Sequence, residues 1–169
     1  LKNGVAIYGG FLGNENAREQ RDWESHETIL SGEIGDPAVH TDNTYHVVRG
    51  DGVDATAVMD GLIIEHGHTC WSDPDARGGG IFCLNNASPI FRNLIVRNNI
   101  SGNDGGGMYN HASAPSLYNV TFENNHADTL GGGMANRQSS PLLVGASFTG
   151  NDGGYGGGMY NDTSSPTLL

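Results

Sequence analysis

Four side chains have the types that carbohydrate chemistry uses: the carboxylates of Glu65 and Glu123 and the guanidinium groups of Arg92 and Arg97. Hydrolysis of a glycosidic bond takes two carboxyl groups roughly 5 to 10 Å apart, one of them kept protonated by its surroundings. If the chain returns on itself at a fixed period, Glu65, Arg97 and Glu123 fall in one column and Asp60 lies beneath Arg92. The two glutamates then stand ~10 Å apart, twice a strand spacing. Arg97 between them would hold both ionised, which removes the acid. The plainer reading is a set of ion pairs between coils, each worth about 0 to 1 kcal/mol at a surface.

Other residue types suggest other ligands. Glu65, His66 and His68, with His46, are of zinc-binding type, but Gly67 suggests a turn rather than the strand that would put both histidines on one side. Oxygen ligands for Ca²⁺ are plentiful near Asp73, Asp75, Asp104, Asp128 and Asp152. The alternating Asp of a Ca²⁺-binding nonapeptide is absent, so no cofactor is expected and Ca²⁺ is the one ion left open. Phe82, Tyr109 and Tyr160, interrupted by Ala135, are expected to face outward as an aromatic stack. They would stack on sugar rings, or on one another beneath a covering loop.

A repeat positions all of these residues. Gly78-Gly79-Gly80-Ile81-Phe82-Cys83, Gly105-Gly106-Gly107-Met108-Tyr109-Asn110, Gly131-Gly132-Gly133-Met134-Ala135-Asn136 and Gly156-Gly157-Gly158-Met159-Tyr160-Asn161 recur about every 26 residues, a solenoid period. No triplet is followed by the Lys of a phosphate loop. After each head come a Ser-rich turn, a proline (Pro89, Pro115, Pro141, Pro166), a short alternating strand with a bend and an Asn-rich turn. Strand parity sends Leu117 inward and Tyr118 outward, and Val120 and Phe122 inward again. Parity resumes one residue early only if Asn119 adopts the left-handed conformation that Asn and Gly tolerate. Asn93 and Gly145 hold the same place, and so does Gly61. Asn110, Asn136 and Asn161 are expected to form an amide ladder from coil to coil.

The chain therefore reads as one all-β domain, 1–169, a parallel β-helix of about six coils of roughly 25 residues. Residues 78–169 are the regular part. A surface insertion, 11–27, is expected as a short helix or loop held down by Trp23, and His66 to Arg77 forms the most decorated loop. With 8 Lys plus Arg against 19 Asp plus Glu, nucleic acid and anionic membranes are poor partners. No apolar run approaches the roughly 20 residues of a membrane span. Cys83, where the other repeats have Asn, is expected as a buried thiol, with a disulfide to Cys70 as the alternative. The sequence starts without Met and stops within a repeat, so it is expected to be an excerpt of a longer chain.

Ile7-Tyr8-Gly9-Gly10-Phe11, Arg21-Asp22-Trp23 and Thr28-Ile29-Leu30-Ser31-Gly32, together with the later Gly-Gly-Gly-Met-Tyr-Asn and Ser-Ser-Pro repeats, resemble bacterial right-handed parallel β-helix proteins. The resemblance is to the polymorphic outer membrane protein and pectate-lyase-like superfamily. It implies a right-handed solenoid in a secreted or cell-surface setting, and it is weak for activity because that superfamily includes adhesins, stalks, lyases and hydrolases. For a lyase it implies an arginine as proton abstractor, Arg92 or Arg97, with Ca²⁺ held by acids. Residues 105–155 carry one basic residue, Arg137, and only short loops. The reading therefore leans away from an enzyme and towards a stalk, adhesin or filament-forming rod, with a lyase or glycoside hydrolase fragment as the alternative. Expected partners are further coils of the same chain, copies stacked head to tail, and polysaccharide or a host surface.

Overall fold

The computed structural model describes residues 1–72 and 75–169. Among them, helical structure is confined to two 3-10 turns, Arg18–Gln20 and His40–Asp42, and every strand pair is parallel. The strands form a nine-stranded, a five-stranded and a four-stranded sheet. The chain visits them in rotation: Ile81–Leu84 in the five-stranded sheet, Ile90–Arg97 in the nine-stranded, Ile100–Ser101 in the four-stranded, then Met108–His111 in the five-stranded again. This all-β arrangement is compatible with a parallel β-helix.

Register stacks like on like. Ile81, Met108, Met134 and Met159 are successive partners, as are Phe91, Leu117 and Leu143, and Val96, Phe122 and Phe148. These rows face inward and, with Met59, Leu94 and Val120, make the core. The rings of Phe122 and Phe148 stack 4.9 Å apart at 6°.

Two of the recurring left-handed corners flank the outer half of the nine-stranded sheet. The first falls at Asn93, Asn119 and Gly145, with φ of 50°, 54° and 64°; it restores inward parity inside one continuous strand at Asn93 and Asn119 and between two short strands at Gly145. The second, at His66, Asn98, Asn124 and Gly150, with φ of 59°, 53°, 52° and 64°, turns the chain into the four-stranded sheet. That sheet is more order than the Asn-rich turns of the sequence suggest. The Gly triplet then brings the chain back. Gly105 has φ of 66°, and a Cβ on Gly106 would lie 2.2 Å from the carbonyl oxygen of His126, so only glycine lets these backbones approach.

Cys83 lies fully buried as a reduced thiol, so the alternative disulfide to Cys70 is not formed. Burial pushes the thiol up to about 12, because the thiolate would lose its hydration. Among the described residues, no helix is long and apolar enough to cross a membrane.

Phe122 belongs to the core row and its ring partner sits in the next turn of chain. Replacing it by Ala is expected to cost about 3 to 5 kcal/mol, the range for emptying a buried phenylalanine site. Denaturant unfolding of Phe122→Ala measures it, and a midpoint equal to the parent's would show that the row does not carry the core.

Candidate functional site

The outer face of the nine-stranded sheet carries the ionisable candidates. One column runs Tyr8, Asp60, Arg92, Tyr118, Val144 and the next runs Glu65, Arg97, Glu123, Thr149. In the second column Arg97 Nε donates to Glu65 Oε2 at 2.7 Å. That bond, more than any other influence, raises the arginine above its already high ordinary value. Glu123 accepts a hydrogen bond from Asn124. A guanidinium held this firmly protonated has no lone pair for abstracting a proton.

The first column departs from the register expectation. Asp60 stands opposite Arg92 but does not pair with it. Arg21, from the insertion, reaches Asp60 Oδ2 at 2.7 Å, with the two side chains only 9% and 10% exposed. Arg21 also bonds the carbonyls of Gly9 and Asp60, while Asn93 donates to Asp60 Oδ1. A carboxylate so buried takes the cation that can follow it out of water. Arg92 lies instead over the ring of Tyr118, 5.5 Å from its centroid. Gly61 makes room for the insertion: a Cβ there would lie 2.5 Å from Arg21 Nη1 and 2.9 Å from Trp23 Cβ.

The aromatic candidates stack in register on the outer side of the five-stranded sheet, but their faces are covered. Phe82 and Tyr109 are 5% and 4% exposed and form a small cluster of their own with Ala135. His46 stacks on Phe82 at 4.6 Å, Arg49 lies over Phe82, and Arg77 lies over Tyr109. Desolvation by this cover raises the Tyr109 phenol. Sugar rings therefore have no open platform on Phe82 or Tyr109, whereas Tyr160 is half-buried.

Among the described residues, no three His, Cys, Asp or Glu side chains are placed to hold a metal. His66 Nδ1 lies 3.7 Å from Glu65, His68 Nδ1 bonds the carbonyl of His40, and Asp75 pairs with Arg49 at 3.5 Å. Asp73 lies outside the described residues.

Asparagines recur among the buried polar groups. Asn110 donates to Asn136 and Asn136 to Asn161, each at 2.9 Å. This ladder stops at Cys83, the register partner of Asn110, and the Oδ1 of Asn110 is left buried without a partner. A second ladder runs through Asn99, Asn125 and Asn151 at the four-stranded corner, where each Oδ1 accepts a backbone N–H from the preceding turn of chain. Their Nδ2 groups bond the carbonyls of Ile64, Val96 and Phe122. The sequence analysis missed this second ladder. Its signal is the recurrence of Asn98-Asn99, Asn124-Asn125 and Gly150-Asn151, a left-handed residue followed by a buried amide.

No protein-family model, no curated protein and no solved structure matches this chain.

Asn136→Leu removes the middle rung and strands the buried Nδ2 of Asn110, while the exposed Asn161 Oδ1 turns to water, for an expected loss of about 1 to 3 kcal/mol. Thermal unfolding measures it, and a mutant that melts with the parent would dismiss the ladder as a source of stability. Acid tests a second set of bonds. Asp22 is held below the usual carboxylate range by Ser25, Asp51 by Asn85 and Asp54 by Thr56. Their folded values lie below the unfolded ones, so the stability they lend is complete above the unfolded value and fades as pH falls below about 4. The melting temperature should drop over that window, and less so in Asp22→Asn. An equal drop in both proteins would show that Asp22 plays no part.

Proposed function

We propose that the chain is part of a right-handed parallel β-helix of about six coils of roughly 25 residues, acting as an extracellular or cell-surface structural and adhesive module. The observation that carries this reading is where the cations go. Arg21, Arg77, Arg97 and Arg137 each pair with an acid on a neighbouring turn of chain or on the sheet beneath: Asp60, Asp104, Glu65 and Asp162. Charges matched in this way hold successive turns in register and commit these four arginines to the fold. The buried amide ladders support the same reading, since they tie each turn to the next from within.

In this reading the partners are further coils of the same kind, in the same chain or in copies stacked head to tail, and the contacted material is polysaccharide or a host surface. The lyase alternative would have to use Arg97, whose pairing with Glu65 opposes it, or Arg92, which lies over the ring of Tyr118.

The protein is therefore expected to release no unsaturated product from pectate, alginate or chondroitin, with or without Ca²⁺. Absorbance of the product double bond is the readout. A steady rise that Arg97→Ala abolishes would overturn the structural reading in favour of the enzyme.

A further inference from the structure

The insertion does more than decorate the sheet, because it walls a groove on the sheet's outer face. Trp23, Glu24, Glu27 and Thr28 form one side of a depression of about 210 Å³, and Ile63, Ile95 and Thr121 form its floor. Two isoleucines stand in that floor although it faces away from the core, beside the polar Asn93, Asn119 and Thr121. Leu62 and Ile64 point inward and are fully buried, so Ile63 between them points outward, yet it is only 4% exposed. Ile29, Ile63 and Ile95 are successive register partners, which makes an isoleucine stripe under the wall.

The wall is rigid where it matters. The buried Arg21–Asp60 pair pins it to the sheet, and Asp22 Oδ1 accepts the backbone N–H groups of Glu24 and Ser25, which fixes the turn that carries Trp23 and Glu24. Arg21 stacks on the indole at 4.8 Å and lines a neighbouring depression with Tyr8 and Arg92; it does not line this groove, whereas Trp23 lines both. At the rim stand Glu24 and Glu27, both exposed, and neither makes an ion pair among the described residues. Arg97, whose charge feels Glu27 through space, gives its hydrogen bond to Glu65.

We infer that this groove receives a lysine or arginine side chain from a basic polypeptide segment of a partner protein. The aliphatic stem of such a side chain would lie on Ile63 and Ile95, as long cationic side chains do on apolar surface. Its charged head would reach Glu24 and Glu27 beside the face of Trp23, an electrostatic and cation–π combination. The net charge of −11 steers a cationic partner towards the surface and repels an acidic one. The assignment goes beyond the structural role proposed above and does not rest on it, because binding of a basic segment and release of sugar product are read by different assays.

The test uses the whole 169-residue chain with Trp71→Phe, so that Trp23 alone reports. The probe is an acetylated, amidated hexapeptide alternating lysine and valine. A saturable change in Trp23 emission is expected, together with matching heat in a calorimetric titration. Glu24→Gln with Glu27→Gln, exposed positions whose folding is checked by circular dichroism, should weaken binding roughly tenfold, and added salt should weaken it further. Peptides with norleucine or glutamate in place of lysine should not bind. Equal affinity in the double variant, equal binding of the norleucine peptide, or no saturable signal by either method at millimolar peptide would overturn the proposal. Binding of a chitosan trimer but not of the peptide would overturn the polypeptide assignment.

Discussion

A primary amide both donates and accepts, so a column of asparagines can repeat along an axis indefinitely, each side chain satisfying the next. The rest of the structure depends on this property. The backbone hydrogen bonds between strands fix a spacing but tolerate a slip, and a slip of one residue would send every core side chain outward. Buried amides do not tolerate it, because a displaced Asn136 would leave the Asn110 donor unpaired inside the fold. The apolar rows of Met, Leu and Phe supply the bulk of the driving force, and the amides select the register in which that force acts.

Charged columns obey the opposite rule. Identical ions cannot stack, so Glu65, Arg97 and Glu123 alternate in sign. Alternation pairs only neighbours and leaves the end member over, here Glu123, which turns to an adjacent amide. The buried Asp60 has the same need in a harsher setting and is met from outside the repeat by Arg21. One irregular segment thus completes a regular sheet, and in doing so it becomes the wall of a groove.

Much of this was legible in the sequence because the repeat is its own alignment. Leu117, Asn119, Val120 and Phe122 announce an inward row interrupted by a left-handed residue, and the φ of Asn119 is that residue's. Parity tells which way a side chain points and nothing about what lies over it. That is why the sequence left Phe82 and Tyr109 between a sugar platform and a covered stack: their cover comes from His46, Arg49 and Arg77, which lie outside the repeated strand. The partner of Asp60 was illegible for a related reason. Column logic names only residues that share the period, and Arg21 sits in a segment that has none. The second asparagine ladder was hidden by composition, since Asn in a turn is expected on conformational grounds alone and its buried side-chain role leaves no separate mark.

The asparagine columns also give the molecule an electrical direction. Within the fold, Asn110, Asn136 and Asn161 pass their hydrogen bonds towards higher residue numbers, as do Asn99, Asn125 and Asn151. The amide dipoles of both inner columns therefore add head to tail. The bare carbonyl of Asn110 marks the negative end of one column. On the outer corner the sense reverses: Asn119 donates to Asn93 and Asn93 to Asp60. That outer column ends with its donors aimed at a carboxylate, which is where a line of oriented dipoles most favours an anion. Asp60 is thus met from two sides, by Arg21 and by the last amide of a column running against the two inside. Axial polarity of this kind makes the two ends of the stack chemically unlike, even where the repeats themselves are nearly the same.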